Sequence, residues 1–149
     1  MGGTLATRMV LTVIGAAGMI VGAFLKWVDQ ADQIGTEIEV QVLWSLNVTG
    51  ESGFVTSVGF VTIVLGLLAL LGLAFRSGWL TRIAGALGIV VFVLYAITIY
   101  RVPGDSGVGN IGLGPWIVLA GGVLALIGGF MGTRTVVRQT AAAPPPPAV

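Results

Sequence analysis

The sequence predicts an all-α transmembrane fold: a four-helix bundle with a small extracytoplasmic β element between helices 1 and 2. Three observations predict it. Charged residues make up 9% of the chain and hydrophobic residues 56%, with a mean hydropathy of +1.03. A soluble domain carries roughly a quarter charged residues, so too few are present to clothe a water-facing surface. The apolar residues also fall into four long uncharged stretches, as membrane spans do. Finally, the segments between those stretches sort their arginines to one side.

The first span is expected at residues 9–25, bounded by Arg8 and Lys26. Seventeen residues of helix cover about 26 Å, close to the ~30 Å of a hydrocarbon core. A cleaved signal peptide is the rival reading. The n-region is thin, however, the apolar stretch is long for an h-region, and a small-x-small cleavage site is poorly placed. The second span is expected at 54–75 and the third at 80–100, beginning near Trp79 or Arg82. The link Arg76-Ser77-Gly78 is so short that these two must form an antiparallel hairpin. The fourth is expected at 113–132, with Pro115 in its first turn, where a missing N–H costs nothing. Residues 1–132 thus form one four-span membrane domain with an outer loop at 26–53. Residues 133–149 form a Pro/Ala-rich tail, expected to be disordered, in which four consecutive prolines favour polyproline II.

Charge sets the expected orientation. Arg8, Arg76, Arg82, Arg134 and Arg138 fall on one side of the four-span plan, and Lys26 and Arg101 on the other. The positive-inside rule puts the arginine-rich side, with both termini, in the cytoplasm of a multi-pass plasma-membrane protein. All six acids, Asp29, Asp32, Glu37, Glu39, Glu51 and Asp105, lie on the opposite side. Trp27, Tyr100 and Trp116 are expected at the outer interface and Trp79 at the inner one.

In the outer loop Ile38, Val40, Val42, Trp44, Leu46 and Val48 alternate with Glu37, Glu39, Gln41, Ser45, Asn47 and Thr49. Period two over a dozen residues predicts a strand across 37–49. Such a strand needs a partner. The turn residues 33–36 would return it to a short strand near 27–32, or a second chain would supply the pairing. The loop 101–114 is glycine-rich, but it lacks Gly-Lys-Ser/Thr and a preceding strand, so it reads as a turn and not a phosphate loop.

Function classes are narrowed by what the composition omits. With no Cys and no His there is no thiolate nucleophile, no disulfide, and neither the commonest metal ligand nor the commonest general base. Ser57, Ser77 and Ser106 have no His or buried Lys to activate them. The acids Asp29, Asp32, Glu37 and Glu39 match no calcium-loop spacing and read as a solvated face. Asn47-Val48-Thr49 is a glycosylation sequon, relevant only in a secretory-pathway host. No acid lies inside the expected spans, and beyond Arg82 at the start of the third no base does, whereas proton-coupled transport calls for an intramembrane carboxylate. Thr12, Thr62 and Thr98 are the midspan polar groups and are expected to bond back to their own helices, with Tyr95 nearer the outer end. No enzyme activity, cofactor, metal or nucleic-acid partner is expected.

Small residues carry the remaining signal. Gly18 and Gly22 form a GxxxG in the first span, and Gly121, Ala125 and Gly129 recur at four-residue steps in the fourth. Such faces let helix backbones approach closely, either within one bundle or against a neighbouring subunit. The leading expectation is a non-catalytic accessory, assembly or scaffold subunit of a larger cell-envelope complex. Membrane lipids surround it, and its interfaces, through helix packing and outer-loop contacts, would involve Trp27, Val40, Val42, Trp44, Gly18, Gly22, Gly121, Ala125 and Gly129, contacting other membrane subunits or a second copy. The alternative is a small oligomeric transporter or channel.

The outline resembles the claudin-type tetraspan architecture: four spans, cytoplasmic ends, and a first outer loop that forms a small sheet. Trp27 and Leu43-Trp44 correspond to that group's loop tryptophan and Gly-Leu-Trp motif, but Val42 replaces the glycine and the cysteine pair is missing. The resemblance implies the outer sheet and no catalytic or ligand residue. The chain is also similar in style to small four-span proteins of actinobacteria, and its six arginines to one lysine fit a GC-rich genome.

Overall fold

The computed structural model describes residues 2–29, 32–44, 53–76, 78–101 and 111–131. Four helices form, α1 (Gly2–Ala23), α2 (Val58–Ala74), α3 (Gly78–Arg101) and α4 (Leu113–Phe130), together with a two-stranded antiparallel sheet of β1 (Lys26–Val28) and β2 (Gln33–Ile34). Helices α1, α3 and α4 are each long and apolar enough to cross a membrane. Helix α2 is shorter, at 17 residues.

The helices pack in the cyclic order α1, α2, α3, α4, each against two neighbours, while α1 and α3 face each other diagonally with little contact. Each helix buries one narrow face of small residues at three- and four-residue spacing. On α1 these are Thr12, Gly15, Ala16, Met19, Gly22 and Ala23; on α4 they are Gly114, Val118, Gly121, Gly122, Ala125, Gly128 and Gly129. At every seam a glycine brings two backbones together. A β-carbon added to Gly121 would lie 2.5 Å from the Gly15 carbonyl oxygen, and one at Gly85 would lie 2.7 Å from that of Gly122. One at Gly66 would lie 2.9 Å from the Ala16 carbonyl oxygen, and one at Gly72 would lie 2.8 Å from the Thr81 nitrogen. The large side chains point outward instead: Val10, Ile14, Val21, Leu67, Leu71, Val90, Ile97, Ile127 and Phe130 are all exposed. Large apolar side chains outside and small residues inside are what lipid contact demands, because lipid supplies no hydrophobic drive between helices.

Three boundaries differ from the sequence expectation, each for a physical reason. Helix α1 begins at Gly2, so Arg8 sits on its second turn and does not precede it. Helix α3 begins at Gly78, which places Arg82 in its first turns. Long arginine side chains near a helix end can reach out of the apolar zone, so the helix need not stop at them. Helix α2 begins four residues later than the expected span. Ser57 caps it, accepting from the Phe60 amide at 3.1 Å and donating to the Phe54 carbonyl at 2.7 Å. Residues Phe54–Thr56 make a 3₁₀ turn ahead of the cap. The α2–α3 hairpin is present, and it turns on Arg76 in the left-handed region, at φ 53°.

The outer loop departs most from its pattern. No strand runs through the described part of 37–49. Gly35–Glu37 and Val40–Leu43 are 3₁₀ turns, which satisfy backbone groups locally where no neighbouring strand is offered. The Ile38 carbonyl accepts the Val58 amide at 2.8 Å, and Glu39 makes a single bridge to Ser57. Ile38, Val42 and Leu43 therefore turn onto the helix ends, while Trp44 is exposed. The short strand expected near Trp27 is present as β1, but its partner is Gln33–Ile34, the segment expected to be the turn. Asp32, at φ 53°, makes the reversal in a conformation Asp tolerates better than most residues. Leu46, Val48, the Asn47 sequon, the glycine-rich part of the second outer loop and the 133–149 tail lie outside the described residues.

The seams make a direct prediction. Gly121→Val places a branched side chain where the Gly15 carbonyl already sits, and it should cost about 1–3 kcal/mol or more by overpacking. Gly3→Ala meets nothing within 4 Å and should be neutral or, through helix propensity, stabilising by up to ~1 kcal/mol. Thermal unfolding of both variants in one detergent tests the pair.

Candidate functional site

The residues expected at a partner interface divide into two groups once placed. Gly18, Gly22, Gly121, Ala125 and Gly129 are engaged inside the chain. Gly18 and Gly22 face Gly121, Val118 and Gly114 of α4, and Gly129 abuts Arg82 and Gly78 of α3. Ala125 is fully buried. Of the two readings left open for these glycine faces, packing within one chain is the one the contacts describe: each face touches a backbone of its own chain. Val42 is buried, and Val40 is half-buried against the same core. Of the expected set only Trp44 is open, at 69% exposure. It shares the outer end with Phe54 and Val55, exposed at 51% and 68%.

Trp27 is not exposed: it is fully buried at the end of the four helices that the sequence reading places outside. Its indole N–H donates to the Gly22 carbonyl at 2.9 Å, which caps the end of α1. The ring meets Tyr95 edge-on, with centroids 4.9 Å apart and planes at 73°. Gly35 and Gly114 make room for the indole: a β-carbon on either would come within 2.5 Å of it. The Trp27 carbonyl accepts twice, from the Tyr95 hydroxyl and from the Gly112 amide, each at 2.8 Å. Val28 extends this seam with a bridge to Ile111. One residue thereby ties the outer loop to α1, α3 and the lead-in to α4. Spacing signalled Trp27, but not that Tyr95, Gly35 and Gly114 form its cradle.

The outer end also carries the charges expected there. Lys26, Arg101, Asp29, Asp32, Glu37 and Glu39 lie at this end of the helices, with Arg8, Arg76 and Arg82 at the other; Glu51, Asp105, Arg134 and Arg138 lie outside the described residues. Lys26 pairs with Asp32, whose carboxylate raises the lysine's pKa above the ordinary value and keeps it charged. Both partners are exposed, so the pair adds little to stability. Among the described residues no three carboxylates converge on a common point.

The threonines behave unequally. Thr62 donates to its own helix at Gly59 (2.9 Å), and Thr98 to Leu94 (3.0 Å) with a longer contact to Leu43 in the outer loop (3.4 Å). Thr12 departs from the expected back-bonding. It is fully buried, and its hydroxyl meets no partner among the described residues, pressed as it is against Gly128. No protein-family model matches the chain, nor does any curated protein or solved structure.

Two substitutions separate the roles of the Trp27 plug. Trp27→Ala should cost about 3–5 kcal/mol, because a large indole leaves a cage that helix backbones hold open. Tyr95→Phe keeps the ring contact and one of the two donors to the Trp27 carbonyl, so it should cost only ~0.5–1.5 kcal/mol. Denaturation in mild detergent checks the ranking; equal costs would contradict the plug.

Proposed function

We propose that this chain is a four-span protein of the bacterial plasma membrane with cytoplasmic termini, acting as a non-catalytic accessory or scaffold subunit of a larger envelope complex. The observation that carries the reading is the contrast between the two kinds of apolar surface. The helix interior is filled by the chain itself, with Met19, Trp27, Tyr95 and Val118 fully buried. The apolar groups Trp44, Phe54 and Val55 instead lie on the outer loop, beyond the α2 helix. An exposed tryptophan at the same end as other exposed apolar side chains has the composition of an interface anchor. A close-packed interior favours this reading over the channel alternative, which needs a polar path along the helices.

Orientation follows from the arginines Arg8, Arg76 and Arg82 at the end that also carries the start of α1. The claudin-like outline supports the same plan, with a loop sheet outside the membrane. In this assignment the outer loop offers its aromatic groups to a partner's extracytoplasmic segment, while the helices meet lipid.

Purification of the tagged chain in gentle detergent, followed by mass spectrometry, should recover a stoichiometric membrane partner. Trp44→Ala should weaken that association by ~2 kcal/mol, about 30-fold. It should leave the chain's own unfolding within ~0.5 kcal/mol, since the side chain is exposed. A chain recovered alone, or a partner indifferent to Trp44, would contradict the scaffold role.

A further inference from the structure

At the end opposite Trp27, two arginines reach the seam where α1, α3 and α4 meet. Arg82 is engaged: its Nε donates to the Gly129 carbonyl at 3.1 Å, and its guanidinium lies 4.4 Å from the centre of the Phe130 ring. Arg8 is different. Its Nε and Nη2 are sealed from solvent and find no acceptor among the described residues. A β-carbon on Gly78 would lie 3.9 Å from Arg8 Nη2 and 3.0 Å from the Gly129 carbonyl oxygen. The guanidinium therefore sits beside the first turn of α3 and the last turn of α4.

An arginine cannot shed its proton to escape this position, and its donors are costly to leave unmet. Among the described residues no carboxylate is at hand, since Asp29, Asp32, Glu37 and Glu39 all lie at the other end. Arg8 as a whole is half-buried, with Nε and Nη2 sealed from solvent. Turning that edge toward an external acceptor sacrifices no hydrogen bond to the described residues. An external acceptor with two oxygens would match the fork of donors.

We propose that Arg8, flanked by Arg82 and the amino end of α3, holds the phosphate of an anionic phospholipid headgroup. The inference rests on the membrane placement above, and not on the scaffold role. In a bilayer the first turns of α1 and α3 lie at headgroup depth, and the phosphate supplies the oxygens that the described residues do not. Arg76, exposed at the same end, adds positive field without closing the site.

The test uses the purified full-length chain alone, so the outcome is independent of any protein partner. Native mass spectrometry from detergent compares phosphatidylglycerol, phosphatidylcholine and inorganic phosphate as probes. The wild type should retain phosphatidylglycerol about tenfold better than phosphatidylcholine, and an equal concentration of inorganic phosphate should not displace it. Arg8→Gln should abolish the preference, and Arg8→Lys, which keeps the charge but not the fork, should lose most of it. Arg101→Gln, at the far end, should leave it intact. Removing an unpartnered buried charge should also leave Arg8→Gln at least as stable as wild type in neutral detergent, so it remains measurable. Retention of the preference in Arg8→Gln, its equal loss in Arg101→Gln, or displacement by inorganic phosphate would each overturn the proposal.

Discussion

Everything in this fold depends on glycine-mediated contact between helix backbones. In lipid an apolar side chain gains nothing by turning inward, so helices cohere by close van der Waals approach instead. At each of the four seams a missing β-carbon lets one backbone touch another: Gly121 against Gly15, Gly66 against Ala16, Gly72 against Thr81, and Gly85 against Gly122. The large residues are then displaced to the outside. The same constraint accounts for the threonines tolerated inside. Thr62 and Thr98 satisfy their hydroxyls on carbonyls and so add no unmet polar group.

Close packing of straight helices leaves their ends open, and the two ends are finished differently. The outer end is closed by a side chain. Trp27 fills the space between the helix termini, and its carbonyl gathers Tyr95 from α3 and Gly112 ahead of α4. This makes a three-residue strand viable in a place where an isolated hairpin would not be stable. The other end is finished by charge, with Arg82 donating to the Gly129 carbonyl near the end of α4 and lying over the Phe130 ring. One end is thus closed by a buried indole, and the other by an arginine on a carbonyl and an aromatic ring.

The helices were legible because hydrophobic run length and charge exclusion act directly on each of them. The α1–α4 seam was legible as two small-residue faces, Gly18/Gly22 and Gly121/Ala125, while Gly129 of the same series turns to α3. That they meet one another was not, because composition carries no information on which face finds which. The outer loop was misread for a specific reason. The alternation from Glu37 to Thr49 is a period-two signal, but a strand needs a neighbour. Once β1 had paired with Gln33–Ile34 and Ile38 with Val58, the segment Val40–Leu43 could bury Val42 and Leu43 only by curling. Trp27 and Trp44 look alike in the sequence, each with one apolar neighbour and acids a few positions away. Only the glycine cradle at Gly35 and Gly114 separates the buried one from the exposed one. Boundaries were missed where a local cap or a reaching side chain overrode hydropathy, at Ser57 and at Arg8 and Arg82.

The inside-out arrangement is tested most directly along α3, and the absence of native cysteine makes single-site labelling clean. Nitroxides placed one at a time at Leu87, Val90, Leu94, Ile97 and Val91, in protein reconstituted into lipid vesicles, report collision with oxygen dissolved in the bilayer and with a water-soluble paramagnetic chelate. The first four positions are exposed and Val91 is buried. The account predicts high oxygen and low chelate access at the four, with low access to both at Val91. Uniform access along the helix, or chelate reaching Val90 and Ile97, would contradict it.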